Sequence, residues 1–246
     1  MRLGIFSDVH ANLEALQAVL QAYQGLDIDR YVCLGDIVGY GANPNECCKL
    51  VQDLTGFVVM GNHDAACCGR LCIDWFNPAA RAAVEAHRRM LEAVHMTWLA
   101  QLPYRIEMAD LLFCHGSPYR QEDFPYILDE TDIEAIAYHV PERPALMFVG
   151  HTHRGTAFTF RERPTLRVWE DPRQVVQILP SHRYVLNVGS VGQPRDGDWR
   201  ASYAIFDTEA RTFELRRTEY DVDAASKKIE SLGLPISLSE RLFLGQ

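Results

Sequence analysis

Short apolar runs, each stopped by a polar pair, set the rhythm of the first half of the chain. Residues 2–6 end at Ser7-Asp8, residues 30–34 at Gly35-Asp36, and residues 57–60 at Gly61-Asn62. Runs of four or five apolar residues without alternation predict strands buried on both faces. Between the first two, Leu13, Leu16, Leu20 and Tyr23 recur at helical spacing behind Asn12, a side chain suited to capping a helix. Strand, helix and strand, repeated, predict βαβ units and a mainly parallel sheet.

Asn77-Pro78 is a cap followed by a proline at the first helical position. It opens one long predicted helix through Trp98, with Ala80, Val84, Leu91, Val94 and Trp98 along one face. Two further apolar strands, Leu111–Cys114 and Leu146–Val149, again run straight into polar clusters. From about residue 156 to 218 the pattern becomes β-rich stretches (156–160, 166–168, 184–188, 203–206 and 213–217) between turn residues. These predict a second, mainly antiparallel sheet. Residues 223–231 have the spacing of a polar amphipathic helix. With no glycine-rich linker, repeat or low-complexity tract, residues 1–246 are read as a single domain.

Composition excludes several classes. A chain of 246 residues with 48% hydrophobic and 23% charged residues is globular and large enough to hold a core without disulfides. Asp and Glu number 33 against 24 Lys and Arg, a net charge of −9. Such a surface is a poor platform for duplex nucleic acid or anionic lipid, so neither is expected as a partner. No apolar run approaches the roughly 20 residues of a membrane span. The seven cysteines are odd in number and include the adjacent pairs Cys47-Cys48 and Cys67-Cys68. A reducing cytoplasm is the expected location. No readable pattern encodes an oligomeric state.

Candidate chemistry lies where the strands stop: Asp8-x-His10, Gly35-Asp36, Gly61-Asn62-His63-Asp64, His115-Gly116 and Gly150-His151-Thr152-His153. Sites in open α/β sheets form just outside the carboxyl ends of the strands. Five strand ends of one sheet are therefore expected to deliver these groups to one place. Asp8, Asp36 and Asn62 offer oxygen, while His10, His115, His151 and His153 offer imidazole. The mixture suits Mn, Fe, Zn or Ni better than Mg or Ca. So many ligands exceed the need of one ion with open positions, so two divalent ions are expected. Asp36, the carboxylate in the middle of the series, is the candidate bridge. Two divalent ions, two carboxylates and a bridging hydroxide leave a local charge of about +1, which favours an anionic substrate despite the acidic surface.

In order, the blocks SDVH (7–10), GDIVGYG (35–41), GNHD (61–64), CHGS (114–117) and GHTH (150–153) resemble the DxH, GDxx, GNH[DE], H and GHxH pattern of calcineurin-like metallophosphoesterases. The stretch NVGSVGQPRDGD (187–198) is similar to the bacterial small phosphodiesterase-type branch and extends the resemblance to nearly the whole chain. The resemblance implies an α/β four-layer sandwich, two mixed β-sheets flanked by helices. It implies one metal held by Asp8, His10, Asp36 and His153 and a second by Asp36, Asn62, His115 and His151, with Mn favoured. His63 is similar to the family's general acid, which protonates the leaving alkoxide. The implied activity is hydrolysis of a small phosphoester by metal-bound hydroxide, with diesters slightly ahead of monoesters. Asn12 and Arg195 are candidate substrate contacts.

Two departures bear on the substrate. Where the family's protein phosphatases carry GDxxDRG and GNHE, this chain has Gly39, Tyr40 and Asp64. The acidic partner of the catalytic imidazole and the arginine that grips phosphate are thereby replaced. A phosphomonoesterase, a protein Ser/Thr phosphatase or a dinucleoside-tetraphosphate hydrolase is the alternative. A catalytically silent binding scaffold is disfavoured because competent ligands fill every block. His87, His95, His139 and His182 lie outside the blocks and are read as surface or satisfied structural histidines. Cys67, Cys68 and Cys72 lack a fourth zinc ligand at a recognisable spacing and are read as packing. Cys33 and Cys114 are read as core residues.

Overall fold

A computed structural model describes residues 1–140, 145–160, 164–168 and 175–246. In chain order the elements are β1 (Arg2–Phe6), α1 (Leu13–Tyr23), β2 (Arg30–Cys33), α2 (Pro44–Leu54), α3 (Asn62–Cys67), α4 (Pro78–Met90) and α5 (Ala93–Gln101). There follow β3 (Arg105–Met108), β4 (Leu111–Cys114), α6 (Glu130–His139), β5 (Leu146–Val149), β6 (Gly155–Phe160), β7 (Pro164–Val168) and β8 (Val175–Gln177). The chain closes with β9 (Arg183–Val188), β10 (Ala201–Asp207), β11 (Thr212–Thr218), α7 (Val222–Ser231) and α8 (Ser237–Leu244).

The strands form two mixed sheets, ordered β2-β1-β10-β11-β8 and β3-β4-β5-β9-β6-β7. Their facing sides bury Leu3, Ile5, Val32 and Leu34 of the first sheet against Phe113, Phe148 and Leu186 of the second. Phe113 and Phe148 stack at 5.1 Å, and Phe206 lies 5.2 Å from Phe148. The outer face of the first sheet turns Phe6 and Cys33 toward Leu16 and Val19 of α1 and Val51 of α2. That of the second turns Leu112, Met147 and Val149 toward Ile133 and Ile136 of α6. Helix, sheet, sheet and helix make the four layers. Burial on both faces explains why these strands read as unbroken apolar runs.

The expected division into a parallel sheet followed by an antiparallel one does not hold. β1 runs parallel to β2, and β4, β5 and β9 run parallel, but the two groups belong to different sheets. β10 pairs antiparallel with β1, and β6 antiparallel with β9, so each sheet draws on both halves of the chain. An apolar run reports burial, not the identity of the neighbour. The expected strand at 57–60 is reduced to one bridge, in which Cys33 N donates to Phe57 O and Val59 N to Cys33 O, each at 3.0 Å. Beyond it Met60 N turns away to Pro103 O.

The long helix expected through Trp98 is two, α4 and α5, broken where Leu91 takes the extended conformation (φ −63°, ψ 129°). The Asn45 side chain repairs the break: its amide donates to Met90 O and its Oδ1 accepts from Glu92 N, both at 2.8 Å. The break turns Val94 out of the apolar face, leaving it 61% exposed. Among the described residues no helix is long and apolar enough to cross a membrane.

Candidate metal centre

The residues at the strand ends converge as the sequence predicts, but from two sheets. Asp8 and His10 follow β1 and Asp36 follows β2 in the first sheet; His115 follows β4 and His151 and His153 follow β5 in the second. Asn62 and His63 open α3. Face-to-face packing brings the carboxyl ends of both sheets to one edge of the sandwich. All these side chains except Asn62 are at most 5% exposed.

The backbone there is unusual. Asp8, His10, Asp36, His151 and His153 all have positive φ, between 49° and 68°. L-residues seldom adopt this region, and its cost of roughly 1–3 kcal/mol each is borne where surrounding contacts over-determine it. Those contacts are present. Asp8 N donates to Gly35 O, His10 N to Asp36 O, and His151 N to Asp8 Oδ2. Asp64, adjacent to His63, does not pair with it. Its carboxylate accepts from Ile37 N, Val38 N and Gly61 N and so fixes the Asp36 turn. Burial, with Asp36 nearby, pushes the Asp64 carboxyl up to about 7. A side chain at Gly61 would collide with the Asp36 carboxylate, which fixes glycine at that approach.

Three imidazoles have fixed tautomers. His10 Nδ1 lies 3.0 Å from Val38 O, His115 Nδ1 2.7 Å from Leu34 O, and His153 Nδ1 2.6 Å from Gln193 O. A carbonyl can only accept, so each Nδ1 carries hydrogen and each Nε2 of the neutral ring aims a lone pair inward. His10 and His153 face each other Nε2 to Nε2 at 3.1 Å. His115 Nε2 lies 3.2 Å from His151 Nδ1, 3.1 Å from Asn62 Oδ1 and 3.3 Å from Asp36 Oδ2. Two ligand groups result, Asp8 with His10, Asp36 and His153, and Asp36 with His115 and His151. They share Asp36, whose Oδ2 is also 3.6 Å from His10 Nε2, while its Oδ1 accepts from His63 N.

This donor set fits cations. Lone pairs confront one another, and Asp8 Oδ1, buried, has no hydrogen-bond partner among the described residues. The field has the same sense. Burial would lower the His115 pKa, yet Asp36 and Asp8 raise it to about 9. His151, where burial prevails, is pushed down to about 3, and burial also holds His63 and His153 well below the ordinary imidazole value. Carboxylates that hold a proton on one imidazole would attract a divalent ion more strongly.

His63 sits at the rim of this cluster, its ring 4.9 Å from that of His10, 4.5 Å from Tyr40 and 5.1 Å from Phe76. Its Nδ1 has no partner among the described residues. Gly39 (φ +95°) is the reason: a Cβ there would strike the His63 ring, so nothing larger fits beside Nδ1. His87 holds the Gly39 loop. Its Nδ1 accepts from Gly39 N and its Nε2–H donates to Gly41 O, both at 2.9 Å, a satisfied structural histidine as the sequence suggests.

The two candidate substrate contacts part company. Asn12 caps α1 by accepting from Ala15 N and donates its amide to Gly192 O, so its side chain joins two segments instead of facing the cluster. Arg195 places its guanidinium 5.5 Å from the Tyr40 ring centre, bonded to Gln193 Oε1, and its charge helps depress the pKa of His63, His151 and His153. Several side chains around the cluster carried no sequence signal of their own. Ser190 Oγ donates to Asp8 O, Gln193 O supports His153, and the Tyr126 ring stacks on His151 at 3.9 Å. The first two fall within the 187–198 stretch, whose resemblance was their only sign; Tyr126 had none.

The calcineurin-like phosphoesterase superfamily domain model matches residues 1–211. An uncharacterised protein of Methanocaldococcus jannaschii is 38% identical over 99% of this chain and 98% of its own length. Among solved structures, a metallophosphoesterase of Sphaerobacter thermophilus is 41% identical with a TM-score of 0.85, the match covering 100% of this chain and 99% of that one. A hypothetical protein of Pyrococcus horikoshii shares the fold at 19% identity and a TM-score of 0.79, covering 100% of this chain and 98% of that one.

Proposed function

Since this chain belongs to the calcineurin-like phosphoesterase superfamily, we propose that it hydrolyses small phosphoric esters at a pair of divalent cations, diesters ahead of monoesters. The observation carrying this reading is the pair of ligand groups that meet at Asp36. Asp8, His10, Asp36 and His153 would hold one ion, and Asp36, Asn62, His115 and His151 the other. Mn is favoured by resemblance, with Fe, Zn and Ni also suited to the ligands. When bound, such ions draw charge from the phosphoryl oxygens and supply an activated water.

The chain's own groups complete the reaction. Arg195, held by Gln193 and Tyr40, would meet a phosphoryl oxygen. As the water oxygen bonds to phosphorus, the bond from phosphorus to the leaving alcohol breaks, and that alcohol oxygen takes the proton of the His63 imidazolium. A proton released by the attacking water restores it. Burial keeps His63 neutral on its own, and an arriving phosphate anion would raise its proton affinity.

The test is hydrolysis of bis-p-nitrophenyl phosphate against p-nitrophenyl phosphate by metal-stripped protein reloaded with Mn²⁺, with bound metal counted. Faster turnover of the diester at two ions per chain is expected; two ions with no turnover of either ester would favour the silent scaffold. Arg195→Ala is expected to raise KM about tenfold with metal content intact, the scale of one charge-assisted hydrogen bond. An unchanged KM removes Arg195 from the substrate site.

A further inference from the structure

The cleft that opens beside His63 and Asn62 has a volume of about 440 Å³, within the roughly 300–1,000 Å³ usual for small-molecule sites and far more than a phosphate group needs. Its walls are rings. Phe76 stands 5.1 Å from His63, Tyr126 lies flat on His151 (interplanar angle 11°), and Tyr40, Phe124 and Trp75 add further rings to a lining that also includes Leu71, Cys72 and Ala80. Trp75 is 94% exposed and Tyr126 49%. A tryptophan left almost wholly in water at the lip of a cleft is the informative exception to apolar burial. Asn77 and Asp123 add polar edges among the rings. Ring faces with hydrogen-bonding edges suit a heterocycle; an aliphatic tail would leave those edges unpaired.

We propose that this cleft binds the base of a nucleoside, so that the substrate is a nucleotide phosphodiester. The inference rests on the phosphoesterase reading and adds the identity of the alcohol. With phosphate at the cluster and His63 beside the leaving oxygen, the leaving nucleoside extends past His63 into the cleft, where its base lies against Phe76, Tyr126 and Trp75.

The test compares thymidylyl-thymidine with the same dinucleotide carrying tetrahydrofuran residues in place of both bases, on Mn²⁺-loaded protein, followed by phosphorus NMR. The scissile bond is the same in both, so a difference reports the bases. We expect kcat/KM at least tenfold higher for the complete dinucleotide, the scale of one stacked base. In Trp75→Ala the preference should fall several-fold. Saturation-transfer NMR with thymidine and metal-free protein gives a reading independent of catalysis: its base protons should show contact in the native chain and lose it in Trp75→Ala. Equal rates on both dinucleotides, or turnover of bis-p-nitrophenyl phosphate with neither dinucleotide cleaved, would overturn the nucleoside assignment and leave the phosphoesterase reading standing. Thymidine contact with no ester of any kind hydrolysed would overturn the phosphoesterase reading instead.

Discussion

Asp36→Asn is expected to lower bound metal from two ions per chain to one or fewer and to reduce turnover about a thousandfold. Asp36 is the one residue that the two ligand groups share, and its Oδ2 faces His10 on one side and His115 on the other. Burial opposes ionisation of this carboxyl, yet the His115 and His63 imidazoles hold its pKa well below the ordinary range, so it is a carboxylate at neutral pH. An amide removes that charge while its oxygen can still accept from His63 N, the bond that anchors α3. The fold should therefore survive, as circular dichroism would verify. A bridging ligand's loss withdraws several kcal/mol of transition-state stabilisation, about three powers of ten in rate. Two ions retained with turnover within a few-fold of the native enzyme would mean that Asp36 does not bridge.

His63→Gln is expected to behave in the opposite way, keeping both ions and losing chemistry. The backbone N–H of residue 63 still reaches Asp36 Oδ1, and the ligand atoms are untouched. General acid catalysis contributes about 10²–10⁴-fold, and a loss in that range is expected for esters of ordinary alcohols. Nitrophenolate departs without a proton, so the loss on bis-p-nitrophenyl phosphate should be smaller. The pH profile supplies the sign. His63 acts protonated, so native turnover should fall as pH rises through its pKa in the substrate complex, and the substitution should abolish that limb. Equal losses on good and poor leaving groups would assign His63 to positioning instead.

The cluster was legible because its residues are announced locally, by apolar runs that stop at polar groups. The ring-walled cleft was not, since Trp75, Phe76, Phe124 and Tyr126 come from loops and become neighbours only after folding. Long-range contacts also account for the misplaced elements. Leu91 lies within a helical pattern, and the break there is stabilised by Asn45, distant in sequence. The role of Asp64 was equally hidden, since the three backbone amides that claim its carboxylate come together only in the fold. The sheet membership of each strand was hidden for a further reason. Residues 2–6 and 111–114 carry the same apolar signature, although one pairs with β10 and the other with β5.

Because Asp8, His10 and Asp36 ride on one sheet while His115, His151 and His153 ride on the other, ligand spacing is a vernier on the alignment of the two layers. Coordination tolerates only a few tenths of an ångström. Trimming a methyl group from the aliphatic residues packed around Phe148 between the sheets should therefore weaken cation retention, counted as metal per chain, before it costs solubility. Metal content would thus measure how the two layers sit on one another, deep in the hydrocarbon interior.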